Sequence, residues 1–390
     1  MRNIIFRSLI LVLLMVGVGC ATGGKRSGKT DRAERNWAQD MQGIAKTVEM
    51  LMPYVFSRSE FHASTNQSRI SSLIDQYSQN VSLVETHVGE KILGDDPMVK
   101  YNLNHLKDAT VQAQEAFKEG HLEYSRNVLA ESVKTCFNCH TTTQLGPENG
   151  FSTAQLTSNF RIYPTEKADF YVATRQYDRA IDVLESVLMN PTQFEGQPHE
   201  QVSAIKKYLS LMVRVRKEPT RAAQTLETFL SNGKLPFFVA SDAEGWLRSL
   251  RKWEKERATK ATALTQAKAL LKQADRLQSV GSYQAGYVEN LRATYLLHEA
   301  IKVAKTKASK AEIYFLLGDS YDVVSDLGVW DLPQVYYEAC VRIEPRTASA
   351  KRCYKSYERA IVLGFSGSAG IFIPASEKNK LAELKQMAGF

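Results

Sequence analysis

Apolar side chains return every three or four positions through about 110 residues near the start of this 390-residue chain. Trp37, Met41, Ile44, Val48, Leu51 and Val55 step by 4-3-4-3-4, and Ile70, Leu73, Tyr77, Val81, Val84 and Val88 by 3-4-4-3-4. Val99, Leu103, Leu106, Ala113 and Phe117 form a third set; Leu122, Leu129, Val133, Cys136 and His140 form a fourth. A helix turns once in 3.6 residues, so each set makes one apolar stripe that must be covered by another. The spacing predicts helices over about 31–56, 65–88, 96–119 and 121–142. Their connections, 57–64, 89–95 and 119–120, are short and favour an up-down-up-down four-helix bundle over 33–145.

The fourth helix ends in Cys136-Phe137-Asn138-Cys139-His140, and a Cys-x-x-Cys-His run is the attachment signature of c-type haem. Two thiols must reach the two vinyl groups of one porphyrin while the next residue sets an imidazole on the iron. On a helix these three positions share a face. Two other readings exist. A redox Cys-x-x-Cys expects a βαβ context, which the helical pattern does not offer. A zinc site needs two further ligands, and no second Cys or His pair at ligand spacing provides them.

With Val133-Lys134-Thr135-Cys136-Phe137-Asn138-Cys139-His140 closing a four-helix run, residues 33–145 resemble the cytochrome c-prime family, including its Met-ligated six-coordinate relatives. The resemblance implies one covalent haem c held lengthwise in the bundle, thioether bonds to Cys136 and Cys139, and His140 as proximal iron ligand. Thr141-Thr142-Thr143 follow the histidine where the family has a basic residue.

A distal ligand must lie at the haem end. His62 and His121 sit at the other end, roughly 30 Å away at 1.5 Å per residue. Met41, His87, Met98 and His105 remain. Met41 is on the core stripe of helix one, the helix that supplies the distal residue in the family, and is the leading candidate. Met98 and His105 are weaker ones. Met/His ligation raises the potential and suits electron transfer, whereas an open distal face admits NO or CO.

Residues 146–165 lack periodicity and read as a linker. Beyond them, Ala168-x-x-Tyr171, Tyr177, Ala180 and Leu184, closing at Asn190-Pro191, resemble a tetratricopeptide repeat. Tyr314-x-x-Leu317-Gly318-x-x-Tyr321, with Tyr337, Cys340 and Pro345, resembles a second, carrying an insertion of about three residues near 328–333. Residues 200–230 and 258–305 are amphipathic with degenerate motifs, and 233–243 breaks the pattern. Cys340 and Cys353 flank the turn at 345–347 and come level on antiparallel helices, which favours a disulfide. The glycines of 364–370 read as a turn before a capping helix at 375–388. The whole is expected to be all-α: a haem bundle followed by a helical-repeat domain over 166–390, a shape that binds proteins.

The N-terminus has the pattern of an export signal: Met1-Arg2-Asn3, then an apolar run to Val18 broken only by Arg7 and Ser8. Val16-Gly17-Val18-Gly19-Cys20 resembles a bacterial lipobox closing a lipoprotein signal over 1–20, which implies that Cys20 is diacylated and becomes the mature N-terminus. Ala21 in place of Asp implies the outer membrane, and residues 21–32 would be a flexible tether. The net charge of +8 is unevenly spread: 33–145 carries 10 basic and 14 acidic residues, net −4, and 166–390 carries 33 and 26, net +7. The basic residues are interleaved with acids on helical faces, so nucleic acid is not an expected partner. The expected function is a membrane-anchored electron carrier on the periplasmic side, with a redox partner or a protein docked on the repeats. A haem-based gas or redox sensor and a structural repeat lipoprotein are the alternatives. No catalytic residues are assigned, and peroxidase chemistry lacks a distal acid–base pair.

Overall fold

A computed structural model gives the structure of the chain and describes residues 28–87, 96–143, 162–190, 197–232, 235–278, 284–324 and 330–390, with 94, 156 and 327. The signal segment 1–20 with Cys20, residues 21–27, and most of 146–165 lie outside the described residues. About 81% of the described residues are helical, in sixteen α-helices, so the fold is all-α. None of the described helices is long and apolar enough to cross a membrane.

Four long helices come first: α1 (Gly28–Val55), α3 (Gln67–Glu85), α4 (Pro97–Lys118) and α5 (Leu122–Thr142), with the short α2 (Arg58–His62) after α1. Each packs on the next, and α5 returns to α1. At one end Arg126 of α5 donates to the Val55 carbonyl of α1 at 3.0 Å. At the other, His87 just after α3 meets Asp40 of α1 at 2.8 Å, with Trp37 edge-on to its ring. Neighbours therefore run in opposite directions. The stripe residues make the core: Ile44, Val48, Leu51, Val55, Ile70, Leu73, Tyr77, Val81, Val84, Leu129 and Val133 are all buried. Start signals are local. Asp96 accepts from the Met98 N–H at 3.0 Å with Pro97 in the first turn, and Ser57 accepts from the Glu60 N–H ahead of α2. The helix α1 begins at Gly28, so the last residues of the expected tether are helical. Beyond Gly28 the stretch Thr30-Asp31-Arg32-Ala33-Glu34-Arg35 has no glycine or proline to stop the helix extending.

The second half is a succession of helices: α6 (Pro164–Ala173), α7 (Tyr177–Met189), α8 (Pro198–Ser210), α9 (Pro219–Ser231), α10 (Phe237–Trp253), α11 (Ala263–Leu277), α12 (Tyr287–Val303), α13 (Lys307–Val324), α14 (Leu332–Ile343), α15 (Ala348–Gly364) and α16 (Ala375–Ala388). Their main contacts are with chain neighbours, in the manner of hairpins laid in series. α6 and α7 join through Arg175 at φ 58°, which lets the Gln176 N–H reach back to the Tyr171 carbonyl at 2.6 Å. α13 and α14 approach so closely at Gly318 that an added Cβ would collide with the Tyr337 ring. The stretch 233–243, read as a break, is helical from Phe237 because Pro236 stands just ahead of α10 as its cap. α8 runs on into a π-helical turn, Leu211–Arg216, that the sequence pattern did not announce. Cys340 of α14 and Cys353 of α15 form a disulfide with a Cα separation of 6.1 Å. Ser366–Gly367 and Gly370–Ile371 pair as a minimal hairpin before α16.

The halves are in contact. α5 packs on α6, the π-helical turn and α12, while α14 packs on α4.

Candidate functional site

The C-terminal turns of α5 carry the Cys-x-x-Cys-His run. They stay helical to Thr142 because the threonines satisfy the last carbonyls themselves: Thr141 donates to Phe137 at 2.9 Å, Thr142 to Asn138 at 2.7 Å and Thr143 to Cys139 at 2.9 Å. The triple threonine, where a basic residue was looked for, thus ends the helix. Phe137 and Asn138 are buried, and Cys136, Cys139 and His140 are half-buried.

Cys136 and Cys139 are free thiols. Burial pushes the Cys136 thiol up to about 12, helped by the neighbouring Cys139 and Asp169. Burial likewise raises Cys139, against the opposing hydrogen bond from Thr143 and the charge of Arg175. Both are therefore protonated at neutral pH, unlike the depressed thiols of redox-active Cys-x-x-Cys pairs.

His140 lies against the second half. Its Nδ1 is 2.9 Å from the Val172 carbonyl of α6, and its own carbonyl accepts from the Tyr177 hydroxyl of α7 at 3.0 Å. A carbonyl only accepts, so Nδ1 carries the hydrogen. Burial and the nearby Arg175 charge lower the imidazole pKa to about 4, so His140 is neutral. Under the same helix Lys207 of α8 donates to both oxygens of Asp169 of α6 at 2.5 Å, a buried pair, with its Nζ 5.6 Å from the centre of the Phe137 ring.

A second polar cluster joins the start of α4 to the repeats. Asp96 meets His298 Nδ1 at 2.5 Å and accepts from the Tyr336 hydroxyl at 2.8 Å. Burial raises its pKa, but the His298 charge and the hydrogen bonds from His298, Tyr336 and the Met98 N–H outweigh this and hold it below its ordinary value. The Tyr321 hydroxyl lies 2.9 Å from His298 Nε2 and 3.6 Å from the Met98 sulfur. Arg214, on the π-helical turn and 2% exposed, sits 5.6 Å from the centre of the Tyr321 ring and donates to the Thr294 hydroxyl. Its Nη1 has no partner, and no carboxylate among the described residues pairs with it. The side-chain nitrogen of buried Asn138 is also without a partner.

Of the distal candidates, Met41 remains half-buried against the core. Met98 is buried with its sulfur turned to Tyr321, and His105 is exposed with its ring stacked on Tyr101 at 6.0 Å. His87 faces Asp40. Sequence reasoning missed the Val172 carbonyl, which has no side-chain signature, and the Asp96–His298 contact, which joins residues 202 apart. Arg214 did leave a signal: it interrupts the apolar run Leu211-Met212-Val213-Arg214-Val215.

No protein-family model matches the chain, and comparisons with curated proteins and with solved structures find no match either.

Proposed function

We propose that this chain is a membrane-anchored monohaem c-type cytochrome that carries single electrons, with a repeat domain that docks a protein partner. In this reading residues 33–145 are an up-down-up-down haem bundle and 166–390 a tetratricopeptide-like array. Cys136 and Cys139 hold the haem through thioethers, His140 is the proximal ligand, and Met41 is the distal candidate. Lipidation of Cys20 anchors the protein to the outer membrane on its periplasmic side, and the role is carriage rather than catalysis.

One observation carries the reading: two free, protonated thiols a helical turn apart stand beside an imidazole whose Nδ1 is already committed to a carbonyl. That leaves Nε2 as the nitrogen for a metal. Protonated thiols disfavour disulfide exchange. Among the described residues no three His, Cys, Asp or Glu side chains gather where one ion could be held, which disfavours zinc. The unpartnered donors of Asn138 and Arg214 suit a group that brings its own carboxylates. Bound covalently, haem supplies a one-electron iron couple. The chain's residues orient the imidazole, exclude water with Phe137 and the Asp169–Lys207 pair, and present an acidic exterior, net −4 over 33–145, to a basic partner.

The test is the alkaline pyridine spectrum of the protein exported from cells that mature c-type cytochromes. One haem per chain is expected, and a colourless protein would overturn the proposal. Oxidised and reduced spectra with and without CO then separate the roles. A low-spin spectrum unchanged by CO supports electron transfer, and a high-spin spectrum that shifts with CO replaces it with gas sensing.

A further inference from the structure

We infer that the turn between α6 and α7 is the positioning element of the axial histidine, fixing His140 as the Nδ1–H tautomer so that the repeat half completes the site carried by α5. This deepens the haem reading and rests on it for its consequence, but the tautomer itself does not depend on haem.

The sequence separates the two parties: His140 closes the first half, and Val172 belongs to the first helix of the second, 32 residues later. They are held together by two hydrogen bonds and the turn between them. The Nδ1–H of His140 donates to the Val172 carbonyl at 2.9 Å; the Tyr177 hydroxyl donates to the His140 carbonyl at 3.0 Å; and Arg175, between them in the chain, adopts φ 58° to make the turn. The Val172 carbonyl is at the end of a helix, where carbonyls lack intrahelical donors; it also receives the Arg175 N–H at 2.9 Å. Its second lone pair is therefore available to an imidazole arriving from outside the helix.

The chemistry follows from which nitrogen is occupied. An imidazole that donates through Nδ1 to a fixed acceptor presents the Nε2 lone pair outward, and the acceptor makes that lone pair more basic. A metal bound there feels the strength of the Nδ1–H bond. The repeat array is thus a structural part of the site, and a partner that displaces α6 relative to α5 alters the ligand field without touching the iron. No residue of the first four long helices need move.

Two measurements on the full chain test this. In the haem-free Cys136→Ser/Cys139→Ser protein, labelled with 15N, long-range proton–nitrogen correlations report the tautomer of His140, assigned by the loss of its signals in His140→Gln. A protonated Nδ1 and a bare Nε2 are expected, in excess on the order of tenfold from one hydrogen bond. An Nε2–H tautomer would overturn the inference. In the haem-loaded protein, Tyr177→Phe releases the tie between α7 and His140. It is expected to raise the midpoint potential, with haem content unchanged. A purely structural Tyr177 would lower stability and leave the potential in place, which would also overturn it. Absence of haem from the wild-type protein is a separate result: it defeats the cytochrome proposal while the tautomer measurement still decides the positioning.

Discussion

Cys136 and Cys139 lie three residues apart on one helix and are free; Cys340 and Cys353 lie 13 apart on two helices and are bonded. The second pair comes level across the turn between α14 and α15, with Cα atoms 6.1 Å apart, inside the usual range for a bridge. Both of its sulfurs are buried, and closing the bond staples the hairpin that supports α16. The first pair is half-buried at the meeting of two halves of the molecule, each thiol held protonated by its surroundings. Under the proposed export, where disulfides form and persist, the difference teaches that one pair is a fastening and the other stays open to the thioether bonds proposed above.

The contrast can be broken by substitution. Cys136→Ala/Cys139→Ala is expected to abolish covalent haem entirely, while Cys340→Ala/Cys353→Ala keeps the full pyridine spectrum. Equal haem in all three proteins would remove the distinction. The same Cys340→Ala/Cys353→Ala variant should lose about 3 kcal/mol in urea unfolding, the chain-entropy value for a loop of this size, so an unchanged midpoint would mean the bond fastens nothing.

A pH series sharpens the comparison at the other site. Burial and the Arg175 charge hold His140 at about 4 in the folded chain, against an ordinary 6.5, and neither cause is removed in the haem-free Cys136→Ala/Cys139→Ala protein. Between those values the unfolded chain binds the proton and the folded chain does not, so stability rises with pH there. It should fall by up to about 3 kcal/mol as pH drops from 6.5 to 4, and His140→Gln should flatten that stretch. The smallest effect concerns the scaffold of the bonded hairpin. Gly318→Ala forces a methyl into the Tyr337 ring and should cost about 2 kcal/mol by thermal unfolding. A neutral result would mean that α13 and α14 can part.

What was legible in the sequence follows from the range of the physics involved. The four long helices emerge within a few residues of their expected ends, because a stripe of apolar residues and a cap such as Asp96 are local signals. The Cys340–Cys353 pairing and the α16 cap were legible for the same reason, since a short turn fixes what faces what. The surroundings of His140 were not. Its acceptor is a backbone carbonyl, and any residue at position 172 would present the same atom. Asp96 was readable as a helix cap and unreadable as the partner of His298 and Tyr336, because nothing short of the assembled fold brings them together. The π-helical turn at Leu211–Arg216 continues α8 directly, and Arg214 within its apolar run marks a buried charge without revealing the change of helix type.

Asp96 also sets an order of events in time. It caps α4 as soon as Met98 is made, but its partners His298 and Tyr336 lie 202 and 240 residues later in the chain. At about 5–20 residues per second, roughly 10–40 s of synthesis separate Asp96 from His298. The helix bearing Cys136 and Cys139 ends at Thr142, so it exists for roughly 8–31 s of synthesis without the packing of α12 against it. The length of chain between position 96 and position 298 acts as a timer: the first half can form its own helices before the residues that tie it to the second half exist.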